Sequence, residues 1–532
     1  MMIPIVKHQT EREGACALPE RITCSGDCDV ARLGCDALIS FCDRAERAEG
    51  DAFVRFCADE SLECRDEIYR VTVLPNAIEV GFRDARGAIN GAATVALLLR
   101  KKVLTCREIV DWPDCSYRSI LLDLARGVPG EEELVSAIRY MALAKYNRVH
   151  LHLMDSAGLC FASEALPEYR RTDGGELLEK AFLRRIAALC KAYAIDVVPE
   201  IEVPAHASAV TAAHPELMCD AENVHGWAVC PGAEGVWEFY DKMIAEVIDL
   251  FPDCEYVHIG TDELEFGELG IEHHCFWDEC ARCAELRRRE GLKDLREEFY
   301  YLVDRMHKIV KSHGKKMMMW NDQIDISREV PVSREIVMQF WRIAAPGRGP
   351  YEGCSMEEFL KQGFRVVNSF YRYVYLDQQR YLSAEKMKTW NVYNTPEQSA
   401  EYADQVLGGE STVWMYGDPA YAFCKYIIFT VFPIFADKLW DKSDREHTEE
   451  YRRALAEYAF GSEDLTCIFD CVGDLIPPRE PEIFVAPEAE LPAPELVDRC
   501  EKLLAGVTES SCLEAARKYV CLMQKIRKQI KK

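Results

Sequence analysis

Two acidic side chains stand next to each other in the stretch EYVHIGTDELEFG, which covers residues 255–267. The apolar run 256–259 is typical of a buried strand, and Asp262 and Glu263 follow it directly. Adjacent acids most often decorate a solvated loop, so the pair alone indicates little. At the mouth of a buried strand, however, two carboxylates could perform proton-transfer chemistry.

Other strand-like runs also end in residues that could do chemistry. If these strands are parallel and form a barrel, their carboxyl ends deliver side chains to one common mouth. Each residue alone has an ordinary explanation as a structural group, but together they indicate a site. The residues at or just beyond the ends are Arg126, Asp155, His206, Asp262, Glu263, Trp320, Trp341, Tyr375, Asp377 and Trp414.

This combination favours a carbohydrate ligand. A sugar ring has apolar faces and an equator of hydroxyls, so its pocket needs aromatic walls and polar groups at the rim. Trp320, Trp341 and Trp414 could supply the walls, and Arg126 and Asp377 could bind hydroxyls. Cleavage of a glycosidic bond then requires an acid for the leaving oxygen and a partner for the anomeric carbon.

A second cluster follows the acid pair and has two interpretations. His273, His274, Cys275, Cys280 and Cys283 lie within eleven residues. The Cys280-x-x-Cys283 spacing suits a structural zinc ion, with Cys275 or a histidine as a further ligand. Only one such pair is present in a cysteine-rich chain, so the alternative is a set of buried thiols. The expected chemistry requires no cofactor.

The elements that position these residues alternate between strand and helix. Helical patterns such as those at 130–146 and 295–314 separate the strands, which is typical of a parallel sheet. Eight strands close a (β/α)₈ barrel, which we expect over residues 113–445. The candidate strands are SILLDLAR, NRVHLHLMD, IDVVPEIEVPAH, YVHIGTDE, KKMMMWND, EIVMQFW, FRVVNSFY and STVWMYGD.

Smaller regions flank the predicted barrel. Residues 1–112 combine a predicted strand pair around a Pro-Asn turn with a buried helix, so we expect a small α/β domain. Residues 446–532 contain a proline-rich acidic connector, IPPREPEIFVAPEAELPAPE, and end in a helical tail from Leu496 with basic residues. The tail is interpreted as a solvated packing helix, with a membrane or an acidic partner as the minor alternative.

Composition excludes some partners. The net charge of −26 argues against nucleic acid, because phosphate binding depends on clustered basic residues. The sequence contains no predicted secretory signal and no run long enough to span a membrane. The 24 cysteines are therefore expected to be free thiols in the cytoplasm.

The chain resembles glycoside hydrolase family 20, the β-N-acetylhexosaminidases, from about residue 68 to 440. The motifs are YRSILLDLAR, NRVHLHLMD, PEIEVPAH, HIGTDE and YLD. The resemblance implies that Arg126, Asp155, His206 and Asp377 bind substrate and that Tyr375 contacts the acetamide oxygen. It also implies substrate-assisted hydrolysis, in which the acetamido oxygen attacks the anomeric carbon to form an oxazolinium ion. Glu263 is then the general acid and base, and Asp262 orients the acetamide.

The sequence departs from the family pattern at three positions. Thr261 replaces the second glycine of the signature, and Ala205 replaces a glycine before His206. Tyr416 stands where the family commonly has a glutamate that binds the far hydroxyls of the sugar. An enzyme of altered specificity, which releases a disaccharide or accepts a sulfated sugar, is therefore one alternative. A catalytically silent carbohydrate-binding protein is another, and the acid pair argues against it.

Overall fold

The structure is a computed structural model, and its described residues cover most of the chain up to residue 460. They are 2–101, 103–167, 169–171, 175–222, 224–264, 274–327, 329–343, 355–375, 387, 389–393, 400–415, 432–443, 449–460 and 502. Within them, no helix combines the length and the apolar character needed to cross a membrane.

The N-terminal part is a mixed seven-stranded sheet with two helices. Its central hairpin turns at Pro75 and Asn76, and the strand before the turn alternates between buried and half-buried residues, as its sequence predicts. The order across the sheet is β1-β7-β5-β6-β4-β2-β3. The elements are β1 (His8–Cys16), β2 (Ile22–Gly26), α1 (Asp29–Phe41), β3 (Ala45–Arg47), β4 (Val54–Ala58), β5 (Tyr69–Leu74), β6 (Ala77–Phe82), α2 (Ala85–Leu98) and β7 (Leu104–Asp111).

Eight parallel strands close the barrel, in the order of the chain. Their residues are almost all buried, because helices cover the outside and side chains fill the interior. A short antiparallel pair, β10 and β11, extends from the second barrel strand. The barrel strands are β8 (Tyr117–Asp123), β9 (Arg148–His152), β12 (Asp196–Glu200), β13 (Tyr256–His258), β14 (Lys316–Trp320), β15 (Val337–Phe340), β16 (Arg365–Asn368) and β17 (Val406–Val413). The short pair is β10 (Met154–Asp155) and β11 (Gly158–Leu159).

The predicted strands match these strands, and the (β/α)₈ fold is confirmed. The last strand differs in its start, which lies at Val406 and not at the predicted Ser411. Gly408 and Gly409 interrupt the apolar pattern there and conceal the strand. A Cβ atom at Gly408 would lie 1.8 Å from the carbonyl oxygen of Tyr117, so the close approach of the strands requires glycine.

The helices surround the barrel and follow the predicted patterns. Helix α8 begins where the Asp294 side chain accepts a hydrogen bond from the Glu297 amide (2.9 Å), and Gly314 follows its end with a φ of +72°. The helices are α3 (Glu131–Leu143), α4 (Lys180–Ala192), α5 (Ser208–Ala213), α6 (Val236–Leu250), α7 (Ala281–Glu290), α8 (Leu295–Ser312), α9 (Met356–Lys361), α10 (Tyr371–Val374), α11 (Phe432–Trp440) and α12 (Glu449–Phe460). Two 3₁₀ turns lie at Pro215–Leu217 and Ala400–Gln405.

Buried polar contacts join the N-terminal sheet to the barrel. Glu67 pairs with Arg118 at the start of β8, and Lys145 Nζ lies 3.3 Å from Asp111 Oδ2. The indole of Trp440 in α11 donates to the same Asp111 carboxylate (3.0 Å). The predicted boundary at residue 112 falls between β7 and β8. The division into domains stays a prediction, and most of 446–532 lies outside the described residues.

Candidate active site

The acid pair lies at the carboxyl end of β13, in a turn with an unusual backbone. Gly260, Thr261 and Glu263 have φ values of +64°, +87° and +54°. A Cβ atom at Gly260 would collide with the carboxylate of Glu202, so only glycine fits that position. The Glu263 amide donates to Asp322 Oδ2 (3.0 Å), which fixes the turn. This geometry presents Asp262 and Glu263 at the barrel mouth.

A continuous row of charged groups connects the ends of four barrel strands. Arg126 Nη2 donates to Asp155 Oδ2 (2.5 Å), and His206 Nδ1 lies 3.1 Å from the same oxygen. The other ring nitrogen of His206 lies 3.5 Å from Asp262 Oδ2 and 3.4 Å from Glu263 Oε2. The five residues predicted from four strand ends therefore meet at one place.

The charges in this row shift one another's protonation. Burial alone raises the pKa of Asp155, but Arg126 and His206 outweigh it and hold that pKa well below its usual range. Burial alone lowers the pKa of His206, but Asp155 and Asp262 raise it well above its usual value. Burial raises the pKa of Asp262 to about 7, with His206 opposing the rise. His206 thus lies as a cation between carboxylates.

Aromatic side chains that differ in burial lie beside the row. Trp341 and Tyr375 are stacked with ring centroids 5.7 Å apart, and Trp414 lies 5.8 Å from Tyr375. Arg126 lies over the Trp414 ring at 5.0 Å. Trp320 is only 1% exposed, and its indole donates to Glu200 Oε1 (2.8 Å) inside the barrel. It lies against Trp414 (6.2 Å) and is almost fully buried, and its role as a wall of the sugar pocket stays a prediction.

Three side chains at the site were not among the predicted residues. Asp322 Oδ1 accepts from the Trp341 indole (3.0 Å), and its Oδ2 accepts from Arg342 Nη2 (2.7 Å). Trp227 donates to the Glu263 carbonyl (3.3 Å), and its ring lies 4.4 Å from His206. A signal existed for Asp322, which follows its strand as Asp262 follows β13. Arg342 follows β15 (Val337–Phe340) in the same way, whereas Trp227 lies on a loop whose sequence gives no such signal.

The structure corrects the predicted zinc ligands. Cys280 and Cys283 lie together, but the other two thiols of their cluster belong to Cys219 and Cys230. Cys275 is not part of this cluster, because the chain turns its carbonyl and not its sulfur toward Cys219 (3.6 Å). His274 contacts Asp278 and Glu279 (3.5 and 3.4 Å). His273, Asp377 and Tyr416 lie outside the described residues.

Comparison with known proteins shows which protein family the sequence matches. A sequence model described as "Glycosyl hydrolase family 20, catalytic domain" matches residues 115–443. A beta-hexosaminidase of Akkermansia muciniphila is 27% identical in an alignment over 433 residues that covers 74% of this chain and 83% of that protein. A beta-hexosaminidase of Porphyromonas gingivalis is 25% identical in an alignment over 467 residues that covers 75% of this chain and 58% of that protein.

Solved structures show the same fold. The family 20 exo beta-N-acetylglucosaminidase of Vibrio harveyi superposes with a TM-score of 0.73 at 21% identity and covers 86% of this chain and 76% of its own. The beta-N-acetylhexosaminidase of Bacteroides fragilis gives 0.71 at 22% identity, with 86% and 94% covered. The family match extends over more than half of the sequence and confirms the predicted enzyme class. The chain therefore belongs to glycosyl hydrolase family 20.

Proposed function

We propose that this glycoside hydrolase removes terminal β-linked N-acetylhexosamine from the end of a glycan, with retention of configuration. The observation that carries the proposal is an unsatisfied carboxylate oxygen of Asp262. Its Oδ1 is buried and has no hydrogen-bond partner among the described residues. A buried acceptor beside a sugar site is complementary to an amide N–H, which the 2-acetamido group of the substrate supplies.

The two acids have different surroundings and therefore different roles. The Glu263 side chain is 30% exposed and Asp262 is 16% exposed. Glu263 reaches the open mouth, where it gives its proton to the leaving oxygen as the acetamido oxygen attacks the anomeric carbon. It then takes a proton from the water that opens the oxazolinium ion. Asp262, as an anion, orients the acetamide N–H and stabilises the positive charge that develops there.

The remaining residues bind and orient the sugar. Arg126 is held by Asp123 (2.9 Å) and Asp155, so its guanidinium is fixed in place at the rim. Trp341 and Trp414 pack against the sugar faces, and Tyr375 donates to the acetamide oxygen. Asp377 and Tyr416 lie outside the described residues, and the family resemblance assigns both to the sugar hydroxyls farther from the scissile bond. Tyr416 replaces the glutamate that is common in the family, so specificity should differ there.

The test compares substrates that differ only in the nucleophile. An aryl N-acetyl-β-glucosaminide should be hydrolysed, whereas the aryl β-glucoside without the acetamide should be almost inert. A thiazoline mimic of the oxazolinium ion should inhibit competitively and tightly, because it resembles the high-energy intermediate. Equal hydrolysis of both glycosides, or no inhibition by the thiazoline, contradicts the mechanism.

Variants of the acid separate its role from general damage. Glu263→Gln should lose most activity on substrates with basic leaving groups and retain more on activated aryl glycosides. Glu279→Gln, an exposed residue on the same side of the barrel that pairs with His274, serves as the matched control and should behave as the wild type. Equal losses on both substrate types would show that Glu263 is not the general acid.

We also propose that the enzyme works in the cytoplasm. Buried single thiols such as Cys160 and Cys190 suit a reducing compartment. Mass spectrometry of alkylated protein from its native cell should find these thiols reduced, and disulfide-bonded cysteines would contradict the proposal.

A further inference from the structure

Four cysteines from two distant segments meet beside the barrel. Cys219 and Cys230 lie between the 3₁₀ turn at Pro215–Leu217 and α6, and Cys280 and Cys283 lie at the start of α7. Their sulfur atoms are all within 4.8 Å of one another. All four are buried, and none is more than 4% exposed. The cluster takes no part in the proposed hydrolysis.

The sulfur separations match those around a tetrahedral metal. Cys230 Sγ lies 3.4 Å from Cys283 Sγ and 3.6 Å from Cys280 Sγ, and Cys219 Sγ lies 4.0 Å from Cys283 Sγ. Four thiolates around Zn²⁺ at about 2.3 Å stand about 3.8 Å apart. A disulfide requires about 2.05 Å, so the four sulfurs are spaced for a shared ion and not for two disulfides.

The local backbone also suits thiolate ligands. Cys280 occupies the residue before α7, so Cys280 and Cys283 lie at the positive end of the helix dipole, which favours thiolate. Asp220, next to Cys219, accepts a hydrogen bond from the Ala281 amide (2.8 Å), and Arg282 donates to the Glu216 carbonyl (2.8 Å). These two hydrogen bonds join the segments beside the four cysteines.

We propose that Cys219, Cys230, Cys280 and Cys283 bind one structural zinc ion. A four-thiolate site has no open position, so the ion holds the structure and takes no part in catalysis. Binding displaces the thiol protons and leaves a ZnS₄ centre with two negative charges. The charge and ligand type favour zinc over hard cations such as Mg²⁺ and Ca²⁺, which prefer oxygen.

The position of the site gives the ion a second consequence. The segment between Cys219 and Cys230 carries Trp227, whose indole contacts both the Glu263 carbonyl and the His206 ring. Zinc would therefore fix the segment that carries Trp227, and this segment packs against Glu263 and His206. Loss of the ion should lower the thermal stability of the protein. It should also reduce turnover, because this segment would no longer hold its position beside the acid pair.

The test measures the metal in the intact protein, without a polyhistidine tag. Elemental analysis should find about one zinc per chain, and X-ray absorption should show sulfur neighbours only, at about 2.3 Å. Cys230→Ser and Cys280→Ser should each lose at least tenfold in zinc content. Cys275→Ser and Cys254→Ser, which remove buried thiols outside the cluster, should keep the full content.

Several results would overturn the site. They are wild-type protein that takes up no zinc after reduction and incubation with Zn²⁺, iron in place of zinc, disulfides among the four cysteines, or zinc retained in Cys230→Ser. If the serine variants do not fold, the absorption spectrum of the wild type still decides, because nitrogen or oxygen neighbours would contradict a four-sulfur site. The readout is independent of glycosidase activity, so it does not depend on the proposed reaction.

Discussion

His206 controls the ionisation of Asp262, and the variant His206→Asn tests that control. Burial raises the pKa of Asp262 to about 7, and the reaction requires its anion. Activity should therefore be present above about pH 7 and fall as the pH drops through that value. In the wild type, kcat/KM, which reports the free enzyme, should fall about 100-fold from its plateau by about pH 5.

The size of the effect follows from one distance. His206 Nε2 lies 3.5 Å from Asp262 Oδ2, and two unit charges at that separation interact by about 4.7 kcal/mol at an effective dielectric constant of about 20. At about 1.4 kcal/mol per pH unit, removal of the cation raises the pKa of Asp262 by at most about three pH units. Relaxation and water reduce this, so we expect the acid limb to move upward by about one to three pH units.

Asparagine is the suitable replacement because of the backbone. His206 has a φ of +50°, a left-handed conformation that asparagine tolerates better than most residues. The assay is kcat/KM on an aryl N-acetyl-β-glucosaminide between about pH 3 and about pH 10, a range that includes the expected shift and the refuting result. His214→Asn is the control, since His214 contacts Glu216 and the Ala165 carbonyl and not the acid pair.

The test depends on the pH at which kcat/KM falls on the acid side of the profile, which is called the acid limb. It does not depend on how much activity the variant loses at its plateau. His206 also lies 3.4 Å from Glu263, so a lower plateau is expected for more than one reason. A limb that stays in place or moves downward in His206→Asn would refute the electrostatic coupling. A wild-type limb well below pH 5 would refute the raised pKa of Asp262.

Two further predictions concern stability. Thr261→Gly should raise the free energy of unfolding by about 1 kcal/mol, because a β-branched residue at φ +87° is strained and its hydroxyl makes only a long contact with the Trp320 carbonyl (3.4 Å). Chemical denaturation measures this, Thr261→Ser keeps the strain as a control, and a less stable glycine variant would contradict it. Trp320→Ala should cost about 3–5 kcal/mol because the side chain is buried, whereas Trp341→Ala should mainly lower kcat/KM. The reverse pattern would place Trp320 in the pocket and Trp341 in the core.

The barrel and the acid pair could be predicted because their signals are local. Apolar periodicity over a few residues indicates a strand or a helix, and α8 begins and ends close to the predicted limits. The rule that parallel strands deliver their ends to one mouth then brings Arg126, Asp155, His206, Asp262 and Glu263 together, as the structure does. The family motifs contain these same strand ends, so the predicted site and family did not depend on tertiary contacts.

Only the tertiary structure decided which residues from different loops touch. Cys219 and Cys230 stand fifty or more residues from Cys280 and Cys283 along the chain, and nothing in their own segment indicates a shared site. The positions of the residues along the sequence also do not predict the burial of Trp320 or the contacts of Asp322 with Trp341 and Arg342. Local sequence determines the conformation of each segment through its backbone and apolar pattern. Contacts between loops depend on the distances and angles at which the whole barrel holds those segments, and only the assembled structure contains them.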